Sequence, residues 1–106
     1  MTFQDNCLQL NGKEIVFPNK IYNVMMSKSY IFVLLGFDLD VQTHCNIYCL
    51  NQEGQELWKI KKCESSGVTK NMNNAYIGLR ITDGKYAAVN FYNEIVHFNP
   101  FNGKII

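Results

Sequence analysis

A chain of 106 residues with 47% hydrophobic side chains has the size and apolar content of a single domain, spanning residues 1–106, with a real core. A formal net charge of +1 removes bulk electrostatic attraction as an argument for a nucleic-acid or membrane partner. Residues 1–10 lack the basic start and apolar run of a secretory signal, and no stretch approaches the roughly 18 apolar residues of a membrane helix, so the sequence reads as soluble and cytoplasmic.

Turn signals recur at short intervals, and the segments between them are rich in β-branched and aromatic residues. Residues 7–10 run into Asn11-Gly12, the strongest hairpin dipeptide, and residues 13–17 return before Pro18 stops them. Residues 21–26 form the next strand, and Ser27-Lys28-Ser29 connects it to the unbroken apolar run 30–35, which suits a strand buried on both faces. Residues 36–45 read as a polar, acidic loop. Residues 46–50 and 56–60 read as strands around an Asn/Gly turn. Residues 61–74 have no periodicity and read as a surface segment, and residues 63–74 are the one place where a helix would fit. Residues 76–81 alternate, with Ile77, Leu79 and Ile81 on one face and Tyr76, Gly78 and Arg80 on the other. Asp83-Gly84 turns, and residues 85–91 alternate with Ala87, Val89 and Phe91 pointing inward. Asn93-Glu94 turns again before strand 95–98, and a strand cut short begins at Lys104 after the turn ending in Gly103. The fold class is therefore all-β, an antiparallel meander of about eight or nine strands.

Three turns share one grammar: an apolar strand, an Asn, a Gly, a long polar residue and an apolar strand. They are centred on Gly12, Gly54 and Gly103, and the strand Tyr30-Ile31-Phe32-Val33 aligns with Tyr86-Ala87-Ala88-Val89. Repeats of about 40–50 residues carrying four strands are the mark of propeller blades. The stretch Asn51-Gln52-Glu53-Gly54-Gln55-Glu56-Leu57-Trp58 resembles the blade ends of quinoprotein-like (PQQ-like) β-propellers, where a strand enters a Gly turn and the next strand carries a docking Trp. The resemblance implies two blade-like four-stranded units, arranged as a partial propeller or as a two-sheet sandwich. Two blades are too few to close a ring, so completion of a propeller by oligomerisation is the alternative. No quinone site carries over, and no cofactor is expected.

The inventory of chemistry is thin. No phosphate-binding glycine loop, nucleophile elbow or His-Glu-x-x-His occurs. Cys7, Cys45, Cys49 and Cys63 lack the spacing of a metal knuckle and read as free thiols packed as small hydrophobes. His97 reads as a sheet residue, and its pairing with Cys45 or Cys49 as a nucleophile would require the fold to bring them together. Lys59, Lys61 and Lys62 with Tyr76 and Arg80 offer only a small basic, aromatic surface, so nucleic acid is not the expected partner.

Missing chemistry favours a non-catalytic protein-binding module. Only 18% of the residues are charged, below the usual quarter, which leaves apolar surface for a partner to cover. Residues 36–57 hold four acids and no Lys or Arg, whereas residues 58–106 are basic. The acidic stretch marks the expected partner-binding residues: Asp38, Asp40, Glu53 and Glu56 for charge, with Phe37 and Tyr48 as aromatic anchors. By analogy, an acidic surface on a small stand-alone protein suits an immunity or inhibitor protein that covers the active site of a basic toxin, such as a nuclease. A metal-dependent hydrolase built on Asp38, Asp40 and His44 is the catalytic alternative.

Overall fold

The computed structural model describes residues 1–36, 46–60, 76–82, 84–90 and 93–106. Among these run ten strands and no helix: β1 (Thr2–Gln4), β2 (Cys7–Leu10), β3 (Lys13–Val16), β4 (Ile21–Ser27), β5 (Tyr30–Leu35), β6 (Ile47–Leu50), β7 (Glu56–Lys59), β8 (Tyr76–Thr82), β9 (Lys85–Asn90) and β10 (Ile95–His97). Every pairing is antiparallel. The strands form three sheets: an N-terminal one (β1-β2-β3), a central one (β4-β5-β6-β7) and a C-terminal one (β10-β9-β8). Two four-stranded units are thus replaced by one four-stranded sheet and two of three strands. The reason lies at the start of the chain, where Thr2 pairs with Gln9 and gives the Asn11-Gly12 hairpin a sheet of its own.

The two inner strands of the central sheet have no solvent face. Strands β5 and β6 are apolar at both parities, so each successive side chain enters one of two cores. Toward the N-terminal sheet, Ile31, Val33, Leu35, Tyr48 and Leu50 pack with Leu8, Leu10 and Phe17. Toward the C-terminal sheet, Phe32, Leu34, Ile47, Cys49 and Trp58 pack with Tyr76, Tyr86, Ala88 and Phe98. Phe32 is the hub of this second core, with ring centroids 5.7 Å from Tyr86 and 6.0 Å from both Trp58 and Phe98. Tilted and edge-on pairs of this kind add roughly 0.5–1.5 kcal/mol each beyond the area they bury.

Two hairpins repeat residue for residue. In β4–β5, Ile21 pairs with Leu35 and Ser27 with Tyr30, with one extra residue, Tyr22, after the first pair. In β8–β9, Tyr76 pairs with Asn90 and Thr82 with Lys85, with one extra residue, Ile77, in the same place. Tyr30 therefore corresponds to Lys85, one position earlier than the alignment of the two Tyr residues suggested. A one-residue slip exchanges the faces of a strand. Accordingly Tyr86, Ala88 and Asn90 face the central sheet, whereas Ala87 and Val89, expected inward, lie on the opposite face; Phe91 lies outside the described residues. The bulge at Ile77 likewise moves Tyr76 onto the face of Leu79 and Ile81 rather than that of Gly78 and Arg80.

Asn46 ties the central and C-terminal sheets together. Its side chain is only 2% exposed. Its amide nitrogen donates to the carbonyls of Leu35 and Tyr76, both at 2.8 Å, and its Oδ1 accepts the Tyr76 N–H at 2.8 Å. The side chain thus pairs both backbone groups of Tyr76 as a neighbouring strand would.

The three Gly turns adopt left-handed backbone, with φ of 79° at Gly12, 85° at Gly54 and 73° at Gly103. Two of them also interlock the sheets. A Cβ on Gly54 would stand 2.9 Å from Ile15 Cδ1 of the N-terminal sheet, and one on Gly103 would stand 2.8 Å from Trp58 Cδ2 of the central sheet. The Trp58 indole N–H donates to the Pro100 carbonyl at 2.7 Å, which fixes the second interlock.

Candidate partner-binding surface

The turns after β2, β4 and β6 and the turn of residues 99–104 gather at one end of the stacked sheets. Asn11 Nδ2 donates to the Gln52 carbonyl at 3.1 Å and Lys13 Nζ to the Glu53 carbonyl at 3.2 Å, joining the first turn to the third. The Tyr30 and Phe101 rings meet edge-on at 6.0 Å, joining the second to the last.

Asn side chains make this end rigid. Asn51 Oδ1 accepts the N–H groups of Glu53 and Gln55 at 3.0 and 2.9 Å, and Asn51 Nδ2 donates to Gln55 Oε1. Asn99 Oδ1 accepts the Phe101 N–H at 2.8 Å, and Asn102 Oδ1 the Lys104 N–H at 2.9 Å. These are Asx turns, in which the side chain replaces a backbone acceptor. The consequence for Phe101 is that a large ring, 75% exposed, projects from a fixed backbone and is backed on one side by Tyr30.

The sequence-expected residues divide three ways. Phe37, Asp38 and Asp40 lie outside the described residues, as do His44, Cys45, Lys61, Lys62, Cys63 and the helix expected within 63–74. Glu53 and Glu56 are exposed, at the turn and at the start of β7. Tyr48 is 8% exposed and packs tilted on Phe17 at 5.3 Å, with Lys59 Nζ 5.4 Å over its ring. It is a core residue capped by a cation, which removes it as an aromatic anchor. The described flanks of residues 37–45, Gly36 and Asn46, stand at the opposite end of the central sheet from Glu53, because β6 separates them. Lys13 beside Glu53 also mixes charges that are segregated in sequence.

Phe101 is the surface residue that sequence reading missed. Its signal was present as an aromatic ring inside Asn99-Pro100-Phe101-Asn102-Gly103, where every neighbour is a turn former and no strand is available to bury it.

Other chemistry is kept apart. Cys49 packs in the core between the central and C-terminal sheets, while His97 pairs with Ala87 on the far face of the C-terminal sheet, so these two form no nucleophilic pair. Tyr76 is buried and Arg80 lies on that same far face, so they share no surface with Lys59. Among the described residues no group of three His, Cys, Asp or Glu side chains comes together. Burial pushes the Cys49 thiol from 9.0 up to about 12. The folded protein thus retains a proton that the unfolded chain releases, so this group leaves stability unchanged below pH 9 and lowers it as pH rises from 9 toward 12. Cys49→Ala is expected to flatten that part of the pH–stability curve measured by urea unfolding. A Cys49 thiol that reacts with a disulfide reagent in the folded protein as fast as in the denatured chain would contradict its burial. The Cys7 thiol is also raised, first by its hydrogen bond with Glu14, then by partial burial and by the charges of Glu14 and Asp5.

A family model described as Domain of unknown function (DUF7957) matches residues 1–106. No curated protein and no solved structure matches the chain.

Proposed function

Since the chain belongs to the DUF7957 family, its role has to come from its own geometry, and we propose that it is a non-catalytic protein-binding module that engages its partner through the turn-bearing end. The observation that carries this reading is Phe101, a ring 75% exposed on a turn already fixed by Asn99. An aromatic anchor whose backbone is ordered before binding loses little entropy on binding, which is what makes such residues dominate interface energies. Glu53 and Glu56 supply charge at the rim of the same end, where it acts on encounter rate more than on final affinity. A basic toxin covered by its inhibitor is the narrower form of this reading.

The docking of Gly54 on Ile15 and of Gly103 on Trp58 supports reading the three sheets as successive blade-like layers of a partial propeller. Each turn sits on the strand that follows the corresponding turn of the preceding layer.

The test is complex formation with the protein encoded next to this gene, measured by calorimetry. Phe101→Ala is expected to weaken a 1:1 complex by about 2 kcal/mol or more, roughly thirtyfold, without lowering thermal stability. Glu53→Lys with Glu56→Lys is expected to slow association and to reduce its salt dependence. Unchanged affinity of the Phe101 variant removes the anchor.

A further inference from the structure

The two outer faces of the three-sheet stack are of opposite charge. Pairing registers place Gly78, Arg80, Thr82, Lys85, Ala87, Val89, Ile95 and His97 on the face of the C-terminal sheet turned away from the central one. Its charged groups among the described residues, Arg80 and Lys85, are both basic, and they surround an apolar strip that includes Ile95, 53% exposed. The corresponding face of the central sheet, Phe32 and Leu34, is the one covered by the next sheet along.

The outer face of the N-terminal sheet carries Thr2, Gln4, Cys7, Gln9, Glu14 and Val16. Its charge is acidic: Glu14 stands on it, and Asp5 lies in the turn at its edge, close enough to act on the Cys7 thiol with Glu14. A shallow hollow runs between Gln4, Asp5, Cys7 and Glu14.

We infer that the outer face of the C-terminal sheet binds the outer face of the N-terminal sheet of a second copy of this chain, head to tail. Two observations select this occupant. The joint continues the sheet-on-sheet stacking already present twice within the chain, and it sets Arg80 and Lys85 against Glu14 and Asp5. In a head-to-tail arrangement the contact is heterologous, so two copies satisfy both ends when the stack curves into a closed ring of six sheets. Six layers lie within the four to eight of propeller rings. The faces are more polar than the two internal cores, so association weakens with salt. This extends the layered reading of the fold and is independent of the role given to Phe101.

Sedimentation velocity on the purified full chain tests it. At low salt the expected species is twice the chain mass of 12.3 kDa, dissociating as salt is raised. Arg80→Glu and Glu14→Lys are each expected to raise the dissociation constant by about tenfold or more, since both place like charges together. Mixing the two variants restores one joint, because one supplies an intact basic face and the other an intact acidic face. Glu53→Lys with Glu56→Lys leaves the mass unchanged. A monomer at every concentration overturns the inference, as does a dimer weakened by Arg80→Glu but not by Glu14→Lys, which would be a symmetric contact of two C-terminal sheets. Circular dichroism on each variant separates lost association from lost folding. A monomer would leave the layered reading standing; that reading falls if Gly103→Ala leaves Trp58 fluorescence unmoved.

Discussion

Asn46→Ala is expected to cost about 3–5 kcal/mol, a large share of the stability of a domain this size. The side chain satisfies three backbone groups, the carbonyls of Leu35 and Tyr76 and the N–H of Tyr76. Alanine fills part of the volume but leaves these groups without the amide that paired them. Each buried backbone group left unpaired costs about 1–3 kcal/mol, more than the hydrogen bond was worth net. Partial relaxation and entering water keep the total below the sum. At roughly 4–8 °C per kcal/mol, the melting temperature falls by roughly 12–40 °C. Asn46→Asp keeps the acceptor for Tyr76 N–H but replaces a double donor with a buried charge facing two carbonyls, so it is expected to be no better tolerated. Thermal unfolding followed by circular dichroism checks both. A loss under 1 kcal/mol in the Asn46→Ala protein would mean that the two sheets are held by packing alone.

The second large effect is expected at Gly103, and it comes as an ordering. Gly12, Gly54 and Gly103 share left-handed backbone, so Ala at any of them pays a conformational penalty of about 1 kcal/mol. They differ in what a Cβ meets. At Gly12 nothing lies within 4 Å; at Gly54 the neighbour is the flexible end of Ile15; at Gly103 it is the Trp58 ring. Ile15 can rotate away, but Trp58 is held by its bond to Pro100 and by Phe32 and Phe98 at 6.0 and 5.7 Å. Overpacking against such a ring adds about 1–3 kcal/mol. The expected losses are therefore about 1 kcal/mol for Gly12→Ala, somewhat more for Gly54→Ala, and about 2–4 kcal/mol for Gly103→Ala. Trp58 is the single tryptophan, so its emission reports the displacement directly. Equal losses at Gly12 and Gly103 would show that the turn conformation alone matters and that Trp58 yields freely.

Much of this fold was legible because its signals are local. Asn11-Gly12 announces a hairpin through the backbone that the pair prefers, and the apolar run 30–35 announces a strand without a solvent face. Assignment of faces in the C-terminal sheet was less legible. In Lys85-Tyr86-Ala87-Ala88-Val89-Asn90 both parities carry apolar side chains, and only tertiary packing decides that Tyr86 turns inward. The bulge at Ile77 is invisible in sequence; it lies beside Tyr76, whose backbone pairs with Asn46, distant in the chain. The sequence marks a turn at Asn93-Glu94, but not its start at Asn90 nor its likeness to the one at Asn51. The Asn51 and Asn90 side chains nevertheless both accept the N–H four residues on and donate to the side chain of that residue, with Asn93 taking the left-handed role of Gly54. Tyr48 read as an available anchor because a Tyr in a short strand carries no mark of which way it points.

A central sheet whose two inner strands are buried on both faces also constrains the order of events as the chain is made. A four-stranded sheet whose inner strands need a neighbour on both sides has little independent stability when only one neighbour exists. The last piece of its second cover is supplied late: Phe98, the Pro100 carbonyl that receives Trp58, and Gly103 beneath the indole. A nascent chain halted before these residues leaves Trp58 and one side of Phe32 uncovered. Folding is thereby delayed until residues 98–103 have been made, and truncation before them is expected to yield an aggregating chain rather than a smaller stable domain.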